Sequence, residues 1–597
     1  MTKLKKYNIS PAKGQALLNF DGRNMPSAMD LYETEIVEKV FNKNNELPLK
    51  ETTLNADFIN LLLQGDCLSA CAYLKEKNIK IDLVYIDPPF ASGANYAKKI
   101  YLRNGGKEFE ADDNTIGEEV MYGDIWQKED YLNWLYERLL AIREVMSETG
   151  SIYVHLDWHI GHYVKVMMDE VFGEENFINE IIWCYTGPGS PNMKQFSRKH
   201  HNIFWYAKSE EWIFNEADIR VASEVHSGGF NNEMNSPVSK GYSQKGKIPE
   251  TWWEFAVSER FKVDGVNRVD YPTEKPIKLL ERIIKASSDE GMIVADFFSG
   301  SGTTATVAHK LGRKFIACDI GINALQTTRD RLVKAKANFD ILKIRDGLRL
   351  FRNPAQTTAK LFSLIDGFRS AKDLELDNFW IGAIPKGNYY SPVKFVGLYE
   401  KLSKELLDVI IQEIIRLEDT NDSLKEITVI YAHKDKEIDQ NYIDKEAGKK
   451  SELKIKLVSL DSLLAEKKDV LFMPDNVSIS VKKDGEKYKV KIEKFFSPYL
   501  KKKIDEYNDK KVTKVLEGKE KELEKKIKIS ENGLELIESV QFDTTLKKDI
   551  WTSNLSLEDK AGVKEKIKGE YVLDTDKFLI KIRNIAGDEI ILPFPSV

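Results

Sequence analysis

Two short runs in this chain carry residue types that act on ligands. The first, Asp87-Pro88-Pro89-Phe90, directly follows the apolar run Ile81-Asp82-Leu83-Val84-Tyr85-Ile86. That run reads as a buried strand, so the four residues fall at the carboxyl edge of a sheet, where open α/β folds bind ligands. Consecutive prolines fix the backbone and carry no N–H. The Asp87 carboxylate and the Pro88 carbonyl are thereby held as a pair of acceptors, and Phe90 adds an aromatic face. Acceptors suit an amino group, and a stacking face suits a base drawn out of a duplex. The plainer alternative is a Pro-Pro loop that ends a strand beside an incidental acid.

The second run is Asp296-Phe297-Phe298-Ser299-Gly300-Ser301-Gly302-Thr303-Thr304-Ala305, between an apolar strand and a helix, with Asp319 standing 19 residues after Gly300. Glycines let the backbone approach a ligand at the sheet edge, and an acid at the end of the next strand accepts hydrogen bonds from ribose hydroxyls. A dinucleotide and S-adenosylmethionine both satisfy this pattern. So does a purely structural glycine turn.

Elements must hold these runs in place. From about residue 57 to 183 short apolar strands alternate with helices, the pattern of an α/β domain with a largely parallel sheet. Leu132 to Met146 has helical apolar spacing, and Ser151-Ile152-Tyr153-Val154-His155 reads as the next strand. Residues 184–268 break the rhythm with Gly187, Pro188, Gly189, Pro191, Gly228, Gly229, Pro237, Gly241 and Pro249, which marks an insertion. The alternation then resumes. Thr273 is placed to cap a helix from about Pro276, with Ile277, Leu280, Ile283 and Ile284 on its apolar face. The strand 292–296, the glycine turn, a helix to about Leu311 and the strand 314–319 follow. Beyond 350, strands are expected at Glu426 to Ala432, Asp469 to Met473 and Phe578 to Ile582, and the Lys/Glu-rich stretch from about 500 to 528 reads as a solvated helix.

The 597 residues are too many for one core. With 42% hydrophobic and 31% charged residues the chain has the composition of a globular protein rather than a disordered one. A formal charge of -6 excludes a protein coated in positive charge, yet allows a local basic cleft for phosphates. Cys67, Cys71, Cys184 and Cys318 show no zinc-ribbon pairing, so a reduced setting is expected. The first residues lack the apolar run of a secretory signal, and nowhere do about 18 uncharged apolar residues run together, which points to the cytoplasm.

With both runs in one chain, the sequence resembles the amino-methyltransferases of DNA, whose signatures are a D-P-P-[YF] tetrapeptide and an F-x-G-x-G cofactor loop. Here they stand as Asp87-Pro88-Pro89-Phe90 and Phe298-Ser299-Gly300-Ser301-Gly302. The catalytic motif coming about 200 residues before the cofactor loop resembles the beta class, which places its target-recognition insertion between them. The resemblance implies a Rossmann-like α/β fold dependent on S-adenosylmethionine, with an inserted target-recognition domain and a C-terminal α+β region. The expected divisions are an N-terminal extension 1–50, a first catalytic part 51–183, the insertion 184–268, a second catalytic part 269–350 and an assembly or DNA-clamp region 351–597.

The same resemblance gives Asp87, Pro88, Pro89 and Phe90 to catalysis, and Asp296, Phe298, Ser299, Gly300, Ser301, Gly302, Thr303 and Asp319 to the cofactor. Gln64-Gly65-Asp66-Cys67-Leu68 looks like the element that sets an acid near the cofactor adenine; Thr273-Glu274-Lys275-Pro276 looks like the one lining its methionine end, through Lys275 and Pro276. Phe90 stands where tyrosine is common, which keeps the stacking face and loses a hydroxyl. The leading Asp favours N6 of adenine over N4 of cytosine, whose enzymes more often have Ser there. The long interval between motifs and the further 250 or so residues resemble modification subunits of type III restriction systems, which implies a homodimer or the docking of a restriction or helicase subunit.

The partner so implied is double-stranded DNA. Lys194, Arg198, Lys199, His200, His201 and Lys208, interleaved with Phe196, Phe204, Trp205 and Tyr206, are suited to its phosphates; a strand with solvated flanks explains them equally. His155, Asp157, His159 and His162 follow a strand into a helix and would not converge on one ion, so structural roles and no metal are expected. No Pro-Cys dipeptide occurs, which disfavours methylation at a ring carbon. A nicotinamide-dependent oxidoreductase remains an alternative use of the glycine loop, as does a silent nucleic-acid-binding module.

Overall fold

The computed structural model describes residues 5–13, 18–19, 23, 26–41, 60–90, 92, 95–103, 115–123, 128–185, 194–222, 246–255, 274–344, 365, 367–371, 374, 376–377, 379–386, 389–396, 401–418, 424–431, 433–435, 437–451, 453–460, 462–463, 475–516, 527–546 and 550–594. Thr273, the strand expected at Asp469 to Met473 and the Gly/Pro positions at 187–191, 228–229, 237 and 241 lie outside them.

The largest sheet among the described residues has eleven strands. In chain order these are β1 (Thr34–Val40), β2 (Asn60–Gln64), β3 (Ile81–Ile86), β4 (Met146–Leu156), β5 (Phe177–Cys184), β6 (His200–Ala207), β7 (Trp252–Glu254), β8 (Ile293–Asp296), β9 (Lys314–Asp319), β10 (Phe339–Ile344) and β11 (Trp551–Ser553). Across the sheet they run β7-β5-β6-β4-β3-β8-β9-β2-β10-β1-β11. The stretch from β4 to β10 is parallel throughout. Helices α1 (Cys67–Glu76), α2 (Lys128–Val145), α3 (Gly161–Phe172), α4 (Ile277–Ser287), α5 (Thr303–Lys310) and α6 (Ile322–Lys334) make the crossovers and flanks.

Alternation along the strands explains why both faces are covered. Leu61 and Leu63 of β2, Val84 and Ile86 of β3, and Ile316 and Cys318 of β9 share one core with residues of α1, α2 and α3. Their neighbours Leu62, Leu83, Tyr85, Phe315 and Ala317 share the opposite core with α4, α5 and α6. A period of two along each strand thus feeds two helical layers, and the result is a doubly wound, Rossmann-like α/β fold. On α4, Leu279, Leu280, Ile283 and Ile284 are fully buried, each contributing about 1.5–3 kcal/mol. At its start Pro276 occupies the cap position without a side-chain hydrogen bond.

The chain divides into two compact units, Met1–Gln356 with Asp475–Val597, and Thr357–Pro474. The region 351–597 expected as one piece is therefore split. Thr357–Pro474 has parallel strands Tyr389–Phe395, Glu426–Tyr431 and Lys454–Ser459, with helices Lys404–Glu418 and Gln440–Ala447, around Ile410, Ile414, Val429 and Ile455. Residues 475–597 fold with the catalytic part: β11 pairs with β1, and Val490, Phe542 and Ile580 share a core with Ile100, Leu102 and Ile116. The N-terminal extension is drawn in as well, since β1 lies antiparallel to β10.

A buried ionic cluster fastens these pieces. Glu38 of β1 accepts from Arg329 Nε at 2.9 Å and Nη2 at 2.7 Å, from Lys581 Nζ at 2.9 Å and from the Ser553 hydroxyl. Burial works to raise its carboxyl, but the two cations prevail and hold it well below the ordinary range. Next to it Asp330 receives Arg583 Nη1 at 3.0 Å and the Lys560 ammonium. Among the described residues no helix is long and apolar enough to cross a membrane.

Candidate active site

Strands β3 and β8 are parallel neighbours, paired at Val84↔Ala295, so the two runs singled out above leave adjacent strand ends at one carboxyl edge. Asp87 and Asp296 are close enough for the charge of the first to raise the carboxyl of the second.

In the tetrapeptide, Tyr131 of α2 donates its hydroxyl to the Pro89 carbonyl at 2.5 Å and so ties the Pro-Pro turn to the helix beneath it. Lys275 places its ammonium on Asp87 Oδ2, with both side chains largely buried. The same ammonium lies 5.4 Å from the centre of the Phe90 ring. Lys275 therefore joins the catalytic half of the edge, with Pro276 beginning α4 directly behind it. Glu274, the residue before, pairs with Arg331 of α6 at 2.7 Å.

The glycine loop is built from its own backbone. Gly300 and Gly302 adopt φ of 47° and 73°. At Gly302 a Cβ would come within 2.6 Å of Thr328 Oγ1 and 2.9 Å of Thr328 Cα, so the close packing of loop on α6 requires glycine. Gly302 N–H donates to the Ser299 carbonyl at 2.7 Å, closing the turn that leads into α5 at Thr303. Ser301 Oγ and Thr303 Oγ1 are 3.0 Å apart, and Arg331 donates to Thr303 Oγ1 at 2.9 Å. Ser299 Oγ is buried with no hydrogen-bond partner among the described residues. Phe298 packs on Trp134 of α2 at 5.6 Å.

Two acids frame the loop. Asp296 accepts from Phe298 N–H at 3.0 Å and from Thr304 Oγ1 at 2.6 Å; burial pushes its carboxyl up to about 7. Asp319 accepts from Gly300 N–H at 2.9 Å and from Gly321 N–H at 2.8 Å; burial pushes it to about 6 against those bonds. Each carboxyl oxygen has a second lone pair for a hydroxyl. A buried hydroxyl without a partner, two acids held near neutrality and a backbone turned outward by glycines fit a polar, ribose-bearing ligand.

Asp66 is drawn into the scaffold. Its Oδ1 caps α1 by accepting Leu68 N–H at 2.9 Å, and its Oδ2 accepts from Arg138 Nη2 at 2.6 Å. The Arg138 guanidinium stacks 4.5 Å from the Trp134 ring, which links Asp66 to the loop through α2.

The basic cluster is dispersed. Lys194, Arg198 and Lys199 lie on the approach to β6 and His200 opens that strand, at the same edge as Asp87; Arg198 stacks 3.6 Å from the Trp158 ring. Phe204, Trp205 and Tyr206 are buried because β6 is an interior strand, hydrogen-bonded antiparallel to β4 and β5. The strand carries Lys208 about 20 Å away to the opposite edge. There it donates to the Met146 carbonyl at 2.7 Å and pairs with Glu148 at 2.9 Å. Lys208 is therefore corrected from a phosphate ligand of this site to a scaffold residue.

Sequence reasoning gave His155 a structural role and set His201 among the phosphate-facing residues, without bringing either to Phe90. Tyr85 hydroxyl lies 2.7 Å from His155 Nδ1, and His155 Nε2 lies 2.9 Å from His201 Nδ1. The Phe90 ring meets the His201 ring at 5.4 Å and 86° and the His155 ring at 6.1 Å. The parity of β3 and β4 puts Tyr85 and His155 at the edge, but the pairing with His201 depends on β6 inserting beside β4.

Residues 81–330 match the family model described as DNA methylase. Over 272 residues the chain is 26% identical to the DNA adenine methyltransferase YhdJ of Escherichia coli (strain K12), covering 45% of this chain and 82% of that protein. Over 378 residues it is 24% identical to the type II methyltransferase M.EcaI of Enterobacter cloacae, covering 53% and 78%. Among solved structures, the M1.HpyAVI–SAM complex aligns with 46% of this chain and 98% of its own, at 18% identity and a TM-score of 0.30.

Proposed function

We propose that this protein is a DNA methyltransferase that moves a methyl group from S-adenosylmethionine to N6 of an adenine flipped out of double-stranded DNA. The observation that carries this reading is the meeting of Asp87-Pro88-Pro89-Phe90 and the glycine loop on adjacent parallel strands. The match of 81–330 to DNA methylases spans both runs and supports it. An oxidoreductase would use the loop but leave the tetrapeptide without a task.

When bound, S-adenosylmethionine supplies an electrophilic methyl group on a sulfonium. Phe298, Ser299, Gly300 and Asp319 are the residues that would hold it, with Asp296 behind the turn. Asp87 and the Pro88 carbonyl accept the two N–H bonds of the target amine and turn its lone pair, otherwise delocalised into the ring, towards the methyl. Phe90 stacks on the base. One N–C bond forms as one C–S bond breaks, and the excess proton on nitrogen passes to Asp87 and then to water. The Lys275 ammonium, paired with Oδ2, holds the Asp87 carboxylate in place at the sheet edge.

Adenine is preferred on the leading Asp of the tetrapeptide. Arg198, Lys194, Lys199 and His200 serve the DNA backbone near the flipped base, and the insertion 184–268 reads the sequence. We assign Thr357–Pro474, which has its own sheet, to docking a restriction or helicase subunit, as in the type III systems the chain resembles.

Incubation with plasmid DNA and labelled S-adenosylmethionine, followed by nucleoside mass spectrometry, tests the whole reading. N6-methyladenine is expected. N4-methylcytosine would move the target to cytosine, and binding of NAD with no methyl transfer would overturn the function. Asp87→Ala should abolish transfer while cofactor affinity stays within about twofold, since the carboxylate acts on the target amine.

A further inference from the structure

Beneath the stacking face lies a polar chain that the transfer chemistry does not use. It runs from Tyr85 on β3 through His155 on β4 and His201 on β6 to Tyr185 just past β5, with links of 2.7, 2.9 and 3.2 Å. The first three residues sit on consecutive strands of the sheet, so the chain crosses the carboxyl edge at right angles to the strands. Tyr85 and His155 are fully buried. Phe90 closes one side of the imidazole pair, and Trp183 closes another, with ring centres 5.5 and 5.4 Å from His155 and His201. Trp183 is itself anchored by its indole N–H, which donates to the Phe255 carbonyl at 3.0 Å.

Burial, with the Lys275 ammonium facing both rings, pushes His155 well down and His201 to about 3, so both imidazoles are neutral in any ordinary buffer. A neutral imidazole has one donor and one acceptor. Run from Tyr85 to Tyr185, the three links give the buried Tyr85 hydroxyl an acceptor and each imidazole one donor and one acceptor role; run in reverse they would leave the Tyr85 proton unpaired, so the first sense is favoured. Deleting one hydroxyl or one ring nitrogen leaves a buried group without its partner and frees the rings to turn.

Resting on the methyltransferase reading, we infer that Tyr85, His155, His201 and Tyr185 are positioning residues: their hydrogen-bonded chain sets the plane of Phe90 and with it the seating of the target base. Tyr85, His155 and His201 thus stand on three adjacent strands of the catalytic sheet, and Tyr185 on the loop that leaves β5. Phe90 touches both imidazoles and the Lys275 ammonium, so the chain acts on the tetrapeptide through this ring.

The test uses the full chain with plasmid DNA. His201→Phe keeps an aromatic edge against Phe90 and removes both hydrogen bonds; His201→Asn keeps an amide at the Nδ1 position, facing His155. The rate of methyl transfer should fall about ten- to a hundredfold in His201→Phe, while cofactor Kd and DNA KM stay within about twofold. His201→Asn should recover part of that rate. A merely structural role would move Kd, KM and rate together and give no such split. If His201→Phe does not fold, Tyr185→Phe, which deletes a single hydroxyl, should still lower the rate about three- to tenfold with Kd unchanged. An active wild type whose rate survives these changes, or loses affinity and rate in equal measure, overturns the inference alone. A wild type that methylates no DNA overturns the function, and the inference with it.

Discussion

Replacing Asp296 by Asn should stabilise the protein at pH 8 far more than at pH 5. Asp296 is buried, and burial lifts its carboxyl from 3.8 to about 7, with smaller contributions from Asp87 and Asp319 outweighed by the bonds from Thr304 and Phe298. Between these two values the folded protein holds a proton that the unfolded chain has released. Folding stability through this group therefore falls as pH rises, by about 1.4 kcal/mol per pH unit, until the folded carboxyl also ionises near 7. From pH 5 to pH 8 the wild type loses about 2–3 kcal/mol in this way. Asn does not titrate, and it preserves both contacts: its carbonyl accepts from Phe298 N–H and its amide donates to the Thr304 hydroxyl. The stability difference between variant and wild type should thus widen by about 2–3 kcal/mol across that interval. Urea unfolding at the two pH values, read by amide-exchange protection of peptides from 292–319, measures it without interference from the separately folded 357–474. A difference that stays constant with pH would refute the claim that Asp296 is held protonated into the neutral range.

Gly302→Ala forces a left-handed residue to carry a Cβ at 2.6 Å from Thr328 Oγ1; about 2–5 kcal/mol of stability and most cofactor affinity should be lost, as denaturation and equilibrium binding will report. Glu38→Gln removes the counter-charge of buried Arg329 and Lys581 and should cost about 3–5 kcal/mol by urea titration, whereas a variant as stable as wild type would show the cluster to be dispensable. Excising Thr357–Pro474 with a Gly/Ser join should leave plasmid methylation intact. Removing 475–597 instead takes β11 from β1 and two partners from Glu38, and should give insoluble protein; soluble, active material would contradict the division into units.

The parts of the fold that could be read from sequence are those whose signals are local. The apolar run 81–86, stopped by two prolines, and the strand, glycine turn and helix at 293–310 announce themselves within a dozen residues each, and both sit where the spacing put them. The segment 200–207 could not be read in this way. Its histidines and flanking lysines look like a phosphate-binding surface, yet pairing on both sides buries Phe204, Trp205 and Tyr206 and sends Lys208 to the far edge. Lys275 and Asp87 are 188 residues apart, and nothing local to either signals that they meet. The same holds for β11, three residues long, whose place beside β1 is fixed by tertiary contacts rather than by any propensity of Trp551, Thr552 and Ser553.

The Glu38 cluster also sets a timetable for biosynthesis. Glu38 and Lys581 are separated by 543 residues, so at about 5–20 residues per second the ribosome delivers the second some half a minute to two minutes after the first. During that interval Glu38 of β1 has Arg329 to pair with but neither Lys581 nor Ser553, so joining the sheet early would bury the carboxylate short of two of its hydrogen bonds. The nascent chain is thereby discouraged from closing the β1 edge before the last strands emerge. A ribosome stalled between residues 344 and 550 would present both ligand-binding runs on a sheet that lacks β11, so chaperone capture should be strongest for chains arrested in that window.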